Sequence, residues 1–254
     1  MADHGPAVNK KRGAEEDDGP KRRVRRKASE APKIIASVVT VSVGGGKDMK
    51  TFIVNEDLLK THSDFFEAAF RGVWKEAKSR SVAFKDESPE VFEIFYHFVH
   101  TGQIFSSKDN DFTHDKNGET TSKDLEWGRL CGSWLLGNKL LSTSFKDAVV
   151  DALTSKMAQE ERWPLSMYTK VYPGSCASSQ IRRLLVDVVV WTWTIGIISK
   201  GLEIKGFPDF LFDVAIALDQ TKVNGRQGKA PFESESCQYH EHVAEGKACY
   251  RTMF

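Results

Sequence analysis

Four stretches decide the fold: VTVSVGG at residues 39–45, KTFIVNEDLLKTHSDFFEAAF at 50–70, WKEAKSRSVAF at 74–84 and SPEVFEIFYHFVHTGQI at 88–104. In the first stretch valines alternate with Thr and Ser, which is typical of a strand with one buried face. The glycines that follow predict a turn, so the second stretch opens with a returning strand at 50–54. A third short strand is expected at 81–85, where apolar and polar residues alternate again.

Helix start and stop signals separate these strands. Asn55 is a good N-cap, and Ser63 can cap a second helix directly after the first. Ser88 followed by Pro89 is a strong helix start, because proline is favoured at the first helical position. The helix between Pro89 and Gly102 is apolar nearly all round, so we expect it in the core. The predicted order is strand, strand, helix, helix, strand, helix.

This order, carried by the four quoted stretches, resembles the BTB/POZ domain, and in style the short BTB proteins of fungi. The resemblance implies an α+β fold over residues 34–159, in which a small β-sheet is flanked by a helical cluster. It also implies a protein–protein interaction module, and many members form homodimers through the first strand and first helix. The alternative is that the apolar side chains expected there fill the core of one chain. The residues expected on this interaction surface are Ile34, Ile35, Val38, Leu58 and Leu59.

Two positions depart from the family pattern. Ser37 lies near the place where many members have an aspartate, and Asn55 stands where many have a histidine. Both positions lie near the charged pocket of members that recruit corepressors, so we do not expect that activity here. The resemblance also allows a substrate adaptor of a cullin ubiquitin ligase, bound through the last helices and the loop from Phe105 to Lys123. That loop is long and polar, and no recognisable substrate-binding domain follows it, so the adaptor role is the alternative.

Amphipathic patterns continue after the loop. Residues 127–141 and 145–157 carry apolar side chains at helical spacing, which predicts a helix hairpin ending near Gln159. Ser144 and Asp147 fit a capping box at the start of the second of these helices. The hairpin resembles the closing helix pair of a BTB domain.

Residues 160–220 predict a C-terminal helical extension, although the β-branched residues at 188–193 leave a strand open. Residues 221–254 read as a polar tail that contains the pattern C-x2-H-x-H-x6-C. Two thiolates and two imidazoles form a ligand set that tetrahedral zinc accepts, and an extended backbone would direct the two histidines to the same side. A plain tail containing Cys and His is the alternative, and no other cofactor is expected. The residues that could hold zinc are Cys237, His240, His242 and Cys249.

Residues 1–33 carry almost no large apolar side chain, and we expect them to form a disordered basic tail. Two basic clusters flank an acidic spacer, as in a bipartite nuclear import signal that an importin binds. A solvated tail and a non-specific phosphate-binding arm are the alternatives. The residues of the predicted import signal are Lys10, Lys11, Arg12, Lys21, Arg22, Arg23, Arg25, Arg26 and Lys27.

Composition excludes several functional classes. The 254 residues are 40% apolar and 28% charged, with a net charge of only +1, so nucleic-acid binding would rest on the basic arm alone. No hydrolase, zinc-protease, phosphate-loop or dinucleotide-binding motif is present, and we expect no enzyme. The apolar run at 184–198 is short for a membrane span and Asp187 interrupts it, so we expect no membrane association. Four cysteines and no signal peptide favour a protein of the nucleus, the cytoplasm or both.

Overall fold

A small mixed sheet forms the base of the fold. The computed structural model describes residues 37–72, 74–108, 113–114, 120–121, 125–160, 167–192, 208–224, 229–234 and 236–254. Strands β1 (Val38–Val43), β2 (Lys50–Asn55) and β3 (Ser81–Phe84) pair in the order β2-β1-β3. β1 pairs antiparallel with β2 and parallel with β3. The predicted hairpin and third strand are therefore confirmed.

One face of this sheet is built from the alternating valines of the first strand. Val39, Val41 and Val43 are buried, whereas the residues between them are partly exposed. Gly44 ends β1 with a φ of +87°, a backbone conformation that residues with a side chain rarely adopt. A Cβ atom at Gly44 would also lie 2.9 Å from the Pro89 ring, so glycine lets the turn pack against the next helix.

Helices α1 (Glu56–His62), α2 (Asp64–Phe70) and α4 (Pro89–Thr101) begin at the predicted start signals, whereas the short helix α3 (Lys75–Ser79) was not predicted and has no side-chain cap. The Asn55 side chain accepts a hydrogen bond from the backbone N–H of Asp57 at 2.8 Å, and Ser63 accepts one from Phe66 at 3.2 Å. These bonds satisfy amide groups that have no partner inside their helix, so both predicted N-caps are confirmed. Gly102, with a φ of +72°, ends α4 as predicted.

Aromatic side chains of α4 form the centre of the core. Phe92, Phe95 and Phe98 are completely buried, and Phe95 and Phe98 both contact Phe145 with ring centroids 5.1 and 5.3 Å apart. Each buried phenylalanine contributes about 1.5–3 kcal/mol by leaving water. The helix that is apolar nearly all round is thus the core helix that its sequence predicts.

The second half of the chain is helical where it is described. Helices α5 (Leu125–Lys139) and α6 (Thr143–Glu160) form the predicted hairpin. They are followed by α7 (Met167–Val171), α8 (Gln180–Thr192) and α9 (Pro208–Asn224). The strand alternative for residues 188–192 is wrong, because they belong to α8; residue 193 lies outside the described residues. Two short strands inside the predicted loop, β4 (Thr113–His114) and β5 (Thr120–Thr121), were not expected.

The C-terminal segment, residues 229–234 and 236–254, packs on the helices rather than trailing as a polar tail. It holds 3₁₀ turns at Pro231–Glu233 and Tyr250–Thr252 and helix α10 (Glu241–Glu245). Phe232 and Tyr239 are buried, and residues 37–254 form one compact unit. The reading of residues 221–254 as a tail is therefore corrected for the described part, and α9 itself extends to Asn224. In the described part of the chain, each helix is too short or too polar to cross a bilayer.

Candidate metal centre and interaction surface

Four potential metal ligands meet in the C-terminal segment. The ligand atoms of Cys237, His240, His242 and Cys249 all lie within 4.8 Å of one another. The two sulfur atoms are 4.0 Å apart, so the thiols are close but not joined by a disulfide bond. Both histidines are buried and both cysteines are half-buried. The structure thus brings together the four residues that the spacing singled out.

The backbone reason for this convergence differs from the predicted one. His240 has the expected extended conformation, with φ −90° and ψ 136°, but it is the N-cap of α10, and His242 already lies in that helix. The two rings approach to 5.2 Å between centroids because the chain turns from extended to helical between them. Gly246, in the left-handed conformation, then ends α10 and leads the chain back towards Cys249.

Two aspartates of α6 orient the two histidines. Asp147 accepts hydrogen bonds from His242 Nδ1 at 2.7 Å and from the backbone amides of Glu241 at 2.7 Å and His242 at 3.3 Å. Asp151, one turn further along α6, accepts one from His240 Nε2 at 2.9 Å. Each histidine therefore has one ring nitrogen held by a carboxylate, which leaves His240 Nδ1 and His242 Nε2 for a ligand. His240 Nδ1 is buried without a hydrogen-bond partner.

The environments of these carboxylates differ. Burial raises the pKa of Asp147, despite the opposing hydrogen bonds from His242 and Glu241. Burial also acts to raise the pKa of Asp151, but hydrogen bonds from His240, Tyr250 and Arg251 outweigh it and leave the pKa lowered. Asp151 therefore binds the C-terminal segment through three side chains at once. Burial and the neighbouring thiol of Cys249 raise the pKa of Cys237.

A second set of polar contacts lies at the start of β1 and α1. Glu56 is almost completely buried and accepts a hydrogen bond from Ser37 Oγ at 2.6 Å, while Lys60 and Arg80 form salt bridges with it. Burial alone would raise the pKa of Glu56, but its bonds to Lys60, Ser37 and Arg80 lower it from 4.5 to about 2. The serine at position 37 thus has a structural partner in this chain.

The outer face of the sheet carries exposed apolar side chains. Val38 is 55% exposed and Ile53 is 65% exposed. Ile53 pairs with Thr40, so these two apolar residues are diagonal neighbours on the same face of the β1–β2 pair. This outer sheet face is defined here by Val38 and Ile53.

A comparison of the chain with known protein families supports the fold independently. Residues 37–114 match the family model of the BTB/POZ domain. The chain contains a BTB domain, as its sequence resemblance predicted, and the match covers the sheet and helices α1 to α4. A BTB domain is a protein–protein interaction module and needs no cofactor. No curated protein matches the chain.

The residues predicted for the interaction surface of the BTB domain have different environments. Val38 is on the outer sheet face and Leu58 is half-buried. Leu59 is completely buried, so its assignment to a surface is wrong: it is a core residue, as the alternative held. Ile34 and Ile35 lie outside the described residues, and so does every residue of the predicted import signal. Ile53 was not predicted, although it stands in a run of three apolar residues of β2, which cannot all face the same side of a strand.

The capping box proposed for α6 is also wrong. That helix begins at Thr143, and the side chain of Ser144 lies 3.4 Å from His62 Nδ1 rather than capping the helix. The carboxylate of Asp147 instead accepts hydrogen bonds from the backbone amide of Glu241 and from the ring of His242, which lie about 95 residues later in the chain. Local sequence could not reveal these partners, because the contacts form only when the C-terminal segment returns to α6.

Proposed function

We propose that the chain is a nuclear protein-interaction module whose BTB domain binds a second copy of the chain through the outer sheet face. The observation that carries the proposal is the pair of exposed apolar side chains, Val38 and Ile53, on neighbouring strands of a BTB domain. Apolar surface that stays in contact with water favours association, and a self-complementary patch gives a two-fold dimer.

Light scattering coupled to size-exclusion chromatography tests self-association. The wild-type chain should give about twice the 28.5 kDa mass of one chain. The double variant V38D/I53D should give the mass of one chain, because two carboxylates would have to be buried in the interface. F212D is the matched control, since Phe212 is equally exposed (66%) but lies on α9, and it should leave the dimer intact. A wild-type chain that stays at 28.5 kDa at high concentration would contradict self-association.

The nuclear part of the proposal rests on the two basic clusters between residues 10 and 27. The binding groove of an importin can contact each Lys or Arg of such clusters separately. Deletion of residues 1–30 from a fluorescent fusion should abolish nuclear accumulation in cells while leaving DNA affinity unchanged. Retention in the nucleus after this deletion would refute the import signal, and loss of DNA affinity on the same deletion would favour the phosphate-binding arm.

A substrate adaptor of a cullin ubiquitin ligase is the second candidate function. One observation favours it: Phe105, at the beginning of the loop after α4, is 54% exposed and offers an apolar contact beside the BTB core. A pull-down with a cullin N-terminal domain tests this role. Capture by the wild-type chain and loss of capture with F105A would support it, whereas no capture by the wild-type chain would remove it.

A further inference from the structure

The cluster in the C-terminal segment has the composition of a structural metal site. Two thiols and two imidazoles are the donor set of tetrahedral zinc, and four protein ligands leave no open position for a substrate. The ligand atoms of Cys237, His240, His242 and Cys249 lie within 4.8 Å of one another. Zinc–sulfur and zinc–nitrogen bonds set such spacings at about 3.3–3.8 Å, so a modest inward rotation of the side chains would complete the site.

The sulfur pair matches this centre better than it matches a disulfide. Cys237 Sγ and Cys249 Sγ are 4.0 Å apart. Two sulfurs bound to one tetrahedral zinc are about 3.8 Å apart, whereas a disulfide brings them to about 2 Å. The remaining two cysteines do not join this cluster: Cys131 is buried elsewhere and Cys176 is exposed.

The histidines supply an independent observation. Metal-bound histidine usually donates its second ring N–H to a carboxylate, which fixes the ring and leaves the other nitrogen for the metal. His240 and His242 both show this arrangement, with Asp151 and Asp147 as the respective carboxylates. His240 is 1% exposed, and its Nδ1 atom has no hydrogen-bond partner. A buried ring nitrogen without a partner destabilises the folded chain, and a bond to a metal would remove this cost.

We infer that Cys237, His240, His242 and Cys249 bind one structural zinc ion, and that Asp147 and Asp151 orient its histidine ligands. The ion closes the C-terminal segment on itself, and the hydrogen bonds of its histidine ligands to Asp147 and Asp151 connect the closed segment to α6. That segment has few buried apolar residues of its own, and small units of this kind are commonly held by a metal. Because the ligands converge only when the segment is folded, zinc binding and docking of the segment are coupled.

Metal analysis of the full chain tests the site directly. Protein purified under reducing conditions should contain one zinc per chain by elemental mass spectrometry. After removal of zinc with a chelator, added Co²⁺ should produce the visible absorption bands of a tetrahedral thiolate-bound cobalt, which the zinc form lacks. C237S/C249S should lose the zinc and the cobalt bands. C176S, which removes the exposed cysteine, and H100Q, which removes an exposed histidine of α4, are the matched controls and should keep both.

Three results would overturn the inference. The wild-type chain could bind no zinc, C237S/C249S could bind zinc as tightly as wild type, or a mass two hydrogens lower under reducing conditions could reveal a disulfide between Cys237 and Cys249. Each of these readouts measures metal or thiol content, so none depends on whether the BTB domain forms a dimer.

The orienting role of Asp147 has its own test. D147N should still bind one zinc ion but with an affinity about 10–100-fold lower in competition with a coloured chelator, because His242 loses the partner that fixes its ring. D213N is the matched control. Asp213 lies on α9, accepts a hydrogen bond from Tyr172 at 2.9 Å and takes no part in the cluster of metal ligands. Equal zinc affinity for D147N and D213N would show that Asp147 has only a structural role.

Discussion

His62 should make the stability of the protein depend on pH between about pH 4 and pH 6.5. It lies on α1 with only 7% of its surface exposed, stacked on Phe254 with ring centroids 5.0 Å apart and edge-on to Phe98. Its Nδ1 atom is 3.4 Å from Ser144 Oγ. Burial in this apolar setting lowers its pKa from 6.5 to about 4, because the charged ring would lose its hydration.

The sign and size of the effect follow from this shift. Between pH 6.5 and pH 4 the unfolded chain binds a proton at His62 that the folded chain does not bind, so the free energy of unfolding falls as the pH falls. The lowered pKa of His62 corresponds to a loss of about 3 kcal/mol in the free energy of unfolding once the pH is below both values, and of about 2 kcal/mol between pH 7.5 and pH 5.0. Above pH 6.5 the ring of His62 is neutral in both the folded and the unfolded chain, so the full stability is present there.

Urea unfolding at pH 7.5 and pH 5.0 measures this contribution. H62Q should be less stable at pH 7.5, because it loses the ring stack on Phe254, but its fall in stability towards pH 5.0 should be smaller than that of wild type by about 2 kcal/mol. H100Q sets the size of the change caused by replacing an exposed histidine. Comparing variants under identical conditions cancels the contributions of all groups that the variants share. If H62Q and wild type lose the same stability between the two pH values, the reasoning is wrong.

Three further substitutions test the fold. E56Q should lower the free energy of unfolding by about 1 kcal/mol at pH 7; the effect is small because the cations paired with Glu56 are partly exposed to water. This loss should vanish as the pH falls from 4.5 towards 2, because the carboxylate of Glu56 becomes protonated and no longer stabilises the folded chain. N55A should cost about 1 kcal/mol in urea unfolding through loss of the helix cap, and N55D should restore it; equal stability of N55A and wild type would contradict the cap. F95A should cost about 3–5 kcal/mol, read as a lower melting temperature, whereas F105A should change it little; similar values for the two would contradict the core assignment.

The sequence predicts the BTB core well because the signals there are local. Alternating valines set the buried face of β1, and Asn55, Ser63 and Gly102 mark helix ends within a few residues of the bonds they make. Such contacts join residues close in the chain, so they leave a pattern that can be read without knowing the tertiary fold.

The environment of the candidate metal centre could not be predicted in the same way. The spacing of Cys237 and Cys249 suggests ligands, but nothing near them in the sequence indicates the two carboxylates that orient the histidines. Asp147 and Asp151 belong to a helix that begins about 90 residues earlier, and Asp147 resembles a local capping residue. Its true partners are fixed by tertiary packing, which overrides the local preference.

Packing of the C-terminal segment also limits where a partner can bind the BTB domain. Leu59 is buried in the core, and His62 is covered by the ring of Phe254, so these two positions of α1 offer no free apolar surface. Phe254 can lie there because Gly102 has no side chain: a Cβ atom at that position would be 2.5 Å from its ring. The segment that carries the metal ligands therefore fills one side of α1. The outer sheet face of Val38 and Ile53 is not covered by this segment and stays exposed, so it can take part in the proposed dimer.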